Sequence, residues 1–136
     1  HHVLKPSLPL FRGFDDEFAI PHSRHTEVRR DDIERNTELD ILAESPESGV
    51  SVVMARGGRE IFLTGHSEYS PLTLDTEYKR DLGKGLPIEM PRHYYRNDDP
   101  SQPPLVTWRA HANLLFNNWL NYYVYQATPY RVEEIE

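Results

Sequence analysis

The chain has 136 residues, 38% of them hydrophobic and 27% charged, with no cysteine and a formal net charge of −7. That is one domain or part of one, with enough apolar content for a core; the acidic balance disfavours nucleic acid and anionic membrane as partners. No apolar run approaches the roughly 20 residues of a membrane helix, and the missing thiols exclude a disulfide framework and thiolate metal ligands, which fits a cytoplasmic protein.

No secretory signal is read at the amino terminus. The chain opens on His1-His2 with no methionine, which leaves a tag remnant and the cut edge of a longer polypeptide both open. Residues 1–38 carry little periodicity. The run from Phe11 to Phe18 mixes aromatic and acidic residues around Gly13, which suits a packed loop, and Pro21 makes the stretch from Ile20 to Val28 turn-prone. Asp31 to Arg35 reads as one helical turn with a solvated charged face. Residues 39–66 read as an antiparallel β-meander at the edge of a larger sheet. Leu39 to Ser45 alternates imperfectly and stops at Pro46; Val50 to Arg56 runs from Gly49 to the hairpin signal Gly57-Gly58; Ile61-Phe62-Leu63 forms a third, short strand.

Beyond it, Ser70-Pro71 reads as a cap and first helical residue, opening a helix over 71–83. Leu74, Tyr78 and Leu82 give its buried stripe, Glu77 and Arg80 a surface ion pair on its flank, and Gly83 and Gly85 its end. Residues 86–106 form a long loop with five prolines, of a length that is functional or wraps a surface. A second helix over 107–125 is expected, capped by Thr107. Trp108, Leu115, Trp119 and Tyr122 or Tyr123 line an apolar face suited to the core or to a subunit contact.

The chemistry concentrates where the third strand ends, in Thr64-Gly65-His66-Ser67-Glu68-Tyr69. Sites in α/β folds collect at the carboxyl ends of strands. If the backbone stays extended past Gly65, His66 and Glu68 point to one side with Cα atoms about 6.5 Å apart. A carboxylate in reach of an imidazole fixes its tautomer and stabilises the imidazolium. That is the base half of a triad, and no thiol in this chain supplies the nucleophile. Three rivals stand beside this reading. His66 and Glu68 with His111 or His93 would be a metal site, but the spacing is not diagnostic and His-Glu-x-x-His is absent. A phosphate loop is not supported, since neither Gly57-Gly58 nor Gly83-x-Gly85 has the required spacing. A binding or structural module would leave the pair as a satisfied polar contact at a sheet edge.

Four blocks carry a family likeness: Phe11-Arg12-Gly13-Phe14-Asp15-Asp16 with Pro21-His22-Ser23-Arg24; Ile41-Leu42-Ala43-Glu44; Thr64 to Tyr69; and Trp108-Arg109-x-His111-x-Asn113 through Gln126, followed by Thr128-Pro129-Tyr130. With these the chain resembles the C-terminal half of the homoserine O-acyltransferases, the transsuccinylases and transacetylases that begin methionine synthesis. His1-His2 also falls where that family carries a His-His, which weakens the tag reading. The resemblance implies a class I glutamine amidotransferase-like (flavodoxin-like) three-layer α/β fold. Residues 1–136 would be the C-terminal half of one catalytic domain, contributing edge strands and two helices. It implies acyl transfer from acetyl-CoA or succinyl-CoA, as co-substrate, to the homoserine hydroxyl through an acyl-cysteine, with no further cofactor and no metal. His66 is then the general base, Glu68 its orienter, and Ser23 and Arg80 bind substrate, Arg80 through the homoserine carboxylate. The helix bearing Arg80 must then cross the mouth of the site. The family's nucleophile, oxyanion donors and acyl-selecting residue belong to an N-terminal half, which is the implied partner, and a homodimer is expected. A class I amidotransferase domain is the nearest alternative, although it ends soon after its His-x-Glu, and a non-catalytic binding fragment is the other.

Overall fold

The computed structural model describes residues 1–127 and Glu133; the Thr128-Pro129-Tyr130 block lies outside them. Four strands form one antiparallel sheet in the order β1 (His2–Val3), β2 (Leu39–Ser45), β3 (Gly49–Ala55), β4 (Glu60–Leu63). Three α-helices accompany it: α1 (Arg30–Glu34), α2 (Thr73–Gly83) and α3 (Arg109–Trp119), the last continuing as a π-helical segment, Leu120–Tyr125.

The meander forms as its alternation and Gly49 and Gly57-Gly58 turns dictate. Its imperfect alternation has a physical cause. Ile41 faces Val53 but Ala43 faces Val52, and Glu44 faces Val50, so Leu42 and Ser51 are extra residues inserted into their strands. Each bulge flips the side-chain phase. Val50 and Val53 therefore pack with Ile33 and Ile41 on one face, while Val52 and Met54 join Leu10, Phe11, Phe18, Leu42, Ala43 and Leu115 on the other. β3 is buried on both faces, which explains its unbroken apolar run. Each fully buried Leu or Val there contributes about 1.5–3 kcal/mol.

Residues 1–38 hold more order than their sequence displays. β1 pairs with β2 through His2–Glu44 and Val3–Ala43, and His2 also bridges Glu17 on its other side. Two residues are too short a strand to carry periodicity; long-range pairing defines them. The aromatic loop packs as expected, with Phe11, Phe14 and Phe18 in edge and tilted contacts.

The helices correct several expectations. α2 starts at Thr73 with Leu72 as its cap residue, and Ser70 meets Thr73 through their hydroxyls at 2.8 Å instead of capping a backbone N–H. Leu74 is buried and Tyr78 partly so, but Leu82 is 47% exposed, because the cluster around Leu74, Tyr94, Tyr95 and Trp108 covers only the first half of the helix. α2 ends as foreseen: Gly85, at φ +72, donates to Leu82 and Leu86 donates to Asp81, the pairing that closes a glycine-terminated helix. α3 starts at Arg109, with Trp108 and not Thr107 at its cap. Trp108 leaves the α3 stripe for the α2 cluster, and Leu115, Trp119 and Tyr123 face the main core.

The proline-rich loop wraps α2. Tyr95 donates to Asp75 at 2.8 Å and Tyr94 to the Pro71 carbonyl at 2.6 Å. The end of α3 locks the β3–β4 hairpin. Trp119 Nε1 donates to the Gly58 carbonyl at 3.3 Å, and a Cβ on Gly58, itself at φ +96, would fall inside the Tyr123 ring.

Candidate active site

The sheet hands the chain to the site in three residues. The β3–β4 ladder ends at Val52–Leu63. Thr64 then clamps the strand end to the β3 bulge, donating its N–H to Ser51 O at 3.0 Å and its hydroxyl to Val50 O at 2.6 Å. Gly65 passes so near the 20–22 segment that a Cβ would sit 2.5 Å from Ile20 Cγ2 and 2.9 Å from His22 Nε2. The His66 N–H donates to Pro21 O at 2.8 Å, which brings the Pro21-His22-Ser23 segment alongside.

His66 and Glu68 do meet, but not along an extended strand. With no ladder past Leu63, the chain turns at Ser67-Glu68, and the Tyr69 N–H closes on the His66 carbonyl at 3.2 Å. Across this turn His66 Nδ1 lies 2.9 Å from Glu68 Oε1. Partial burial pushes the Glu68 carboxyl upward, yet the hydrogen bond from His66 and a backbone N–H outweigh it and hold the group below its ordinary range.

Tyr69 ties the pair to α2. Its ring stacks on the imidazole, centroids 4.2 Å apart and planes 14° from parallel. Its hydroxyl donates to Glu77 Oε1 at 2.9 Å, and Ser23 lies near enough to influence the phenol. Burial first, and the Glu77 carboxylate second, push this phenol up to about 12, so it stays a donor at neutral pH. Arg80 stands one turn further along α2 and feels the charge of Asp81 first and of Glu77 after it. The expected Glu77–Arg80 ion pair does not form. Glu77 is taken by Tyr69, and Arg80 forks onto the neighbouring Asp81 at 2.7 and 2.8 Å. Ser23 and Arg80 thus both lie near the Tyr69–Glu77 pair, Arg80 within reach of the Glu77 charge.

His22 lies behind the pair. Its Nε2 is 3.0 Å from His1 Nε2, and burial, then the charges of Arg24 and His66, lower its pKa to about 4. It also lines a cavity of about 590 Å³ with His1, Glu47, Arg92, Tyr94 and Trp108, which His66 and Glu68 do not line. The histidines of the metal reading sit elsewhere: His93 pairs with Glu47 at 3.1 Å and His111 with Asp15 at 3.3 Å. Tyr69 and His22 carry no role in the sequence reading although both lie inside the quoted motifs, and Glu77 enters it only as an ion-pair partner of Arg80.

The profile of the homoserine O-succinyltransferase family matches residues 1–130, which include β4, the His66–Glu68 turn, α2 and α3. The chain belongs to the homoserine O-succinyltransferase family. Among curated members, it is 70% identical over 135 residues to a protein of Bacteroides fragilis named homoserine O-acetyltransferase, covering 99% of this chain and 44% of that one. Proteins of the same name from Parabacteroides distasonis and Acetivibrio thermocellus are 68% and 60% identical over 136 residues, which is all of this chain and 44% and 45% of theirs. The chain therefore spans less than half the length of these curated relatives. Among the described residues, no helix is long and apolar enough to cross a membrane.

Proposed function

We propose that this chain is the C-terminal portion of a homoserine O-acyltransferase, with His66 as general base and Glu68 as its orienter. The observation that carries the proposal is the 2.9 Å contact between His66 Nδ1 and Glu68 Oε1 at the carboxyl end of β4, in a chain of this family. With Nδ1 engaged, Nε2 is the atom that takes a proton. The homoserine hydroxyl gives that proton to His66 as its oxygen attacks the carbonyl of an acyl-cysteine. The new C–O bond forms, the C–S bond breaks, and the thiolate leaves. Arg80 holds the homoserine carboxylate, for which a guanidinium fork is suited, and Ser23 lies on the same substrate.

The thiol and the oxyanion donors come from the N-terminal portion of the same polypeptide, completing a class I glutamine amidotransferase-like domain that works as a homodimer in the cytoplasm without a bound cofactor. The acetyltransferase names of relatives at 60–70% identity support acetyl-CoA as the donor. The test is steady-state turnover of the full-length protein with homoserine and either acetyl-CoA or succinyl-CoA. Acetyl transfer to the hydroxyl is the expected result, and its absence with both donors overturns the reading. The chain by itself has no cysteine and is expected to show no turnover; thiol-independent activity there would overturn the acyl-cysteine route.

A further inference from the structure

We infer that Tyr69 is the positioning residue that couples the base to the substrate-anchoring helix, its ring holding His66 and its hydroxyl holding α2. The inference rests on the reading of His66 as base and Arg80 as carboxylate anchor. Glu68 contacts the imidazole only at Nδ1, which leaves the ring free to tilt about that bond. The parallel Tyr69 ring, 4.2 Å away, removes that freedom. The same side chain reaches α2 through the 2.9 Å bond to Glu77, one turn before Arg80. One residue therefore sets the distance between the atom that takes the proton and the group that grips the substrate.

The Tyr69 main chain is anchored independently of its side chain. Its N–H donates to the His66 carbonyl at 3.2 Å and its own carbonyl accepts from Trp108 Nε1 at 3.1 Å. Substitutions there change the ring and the hydroxyl while the turn keeps its hydrogen bonds. The two functions separate chemically: Tyr69→Phe keeps the stack and cuts the tie to α2, and Tyr69→Leu removes both.

The experiment is steady-state kinetics of the full-length enzyme carrying Tyr69→Phe, Tyr69→Leu or His66→Ala. Tyr69→Phe is expected to keep kcat within about threefold and to raise the homoserine KM about tenfold, the size of a lost hydrogen bond to a charged group, with the acyl-CoA KM unmoved. Tyr69→Leu is expected to lower kcat about 10²-fold, as a misplaced reacting group does. A leucine variant with kcat within threefold, or a phenylalanine variant with unchanged homoserine KM, overturns the inference. Should the leucine variant not fold, the KM split in Tyr69→Phe decides alone. Full turnover in His66→Ala would instead overturn the assignment of the base. A dead His66→Ala with unaffected Tyr69 variants would overturn only the role of Tyr69.

Discussion

His66 Nδ1 and Glu68 Oε1 lie 2.9 Å apart across a tight turn, not side by side along a strand. The turn makes the pair a local unit of four residues, joined to the end of β4 through Thr64 and Gly65. In the full-length enzyme, His66→Ala is expected to lower acyl transfer at least 10²-fold, the usual weight of a general base. Glu68→Gln, which leaves a neutral hydrogen-bond partner, should cost less. A loss under threefold in a folded His66→Ala variant would remove the residue from the mechanism.

Arg80 is held in a two-point fork by Asp81. In the proposed role a substrate carboxylate replaces that partner with equivalent geometry, which a lysine ammonium does not reproduce. Arg80→Lys should therefore raise the homoserine KM about tenfold or more while the acyl-CoA KM stays put. Wild-type homoserine kinetics in this variant would reduce Arg80 to a surface residue.

His22 predicts how the fold responds to acid. Its pKa in the folded chain is lowered to about 4, first by burial, whereas an unfolded histidine titrates near 6.5. Between those values the unfolded state binds more protons, so stability falls as pH drops through that window and His22 contributes no slope above it. Thermal unfolding of the full-length protein from pH 7 to 4 should show a smaller decline in His22→Gln than in the wild type. Parallel curves would contradict the assignment.

The two hairpin glycines separate backbone strain from packing. Both have positive φ, but a Cβ at Gly57 meets nothing within 4 Å, while one at Gly58 enters the Tyr123 ring. Gly57→Ala should cost about 1–2 kcal/mol from the left-handed backbone alone, and Gly58→Ala should add an overpacking penalty of about 1–3 kcal/mol. Denaturant unfolding of both variants in the full-length protein measures the difference. Equal losses would mean that the π-helical end of α3 is not packed on the hairpin.

The sequence by itself determined the meander, the places of α2 and α3, and the pairing of His66 with Glu68. Each is written within a few residues, as alternation, helical spacing, turn glycines or a two-residue separation. The family resemblance alone singled out Ser23 and Arg80 as substrate-binding residues, a role that local spacing did not reach. The tertiary structure alone decided the rest. β1 exists because Glu44 and Glu17 flank His2 from opposite sides. The phase of β3 changes at Ser51 because β2 and β3 each carry an extra residue. Glu77 left the partner that helical spacing assigned it because the Tyr69 phenol, eight residues away, reaches it first. Trp108 left the α3 stripe for the Tyr69 carbonyl, thirty-nine residues back. Local periodicity records which face of an element is apolar, but a hydrogen-bond partner is chosen by what packing brings within 3 Å, and that depends on segments far apart in the chain.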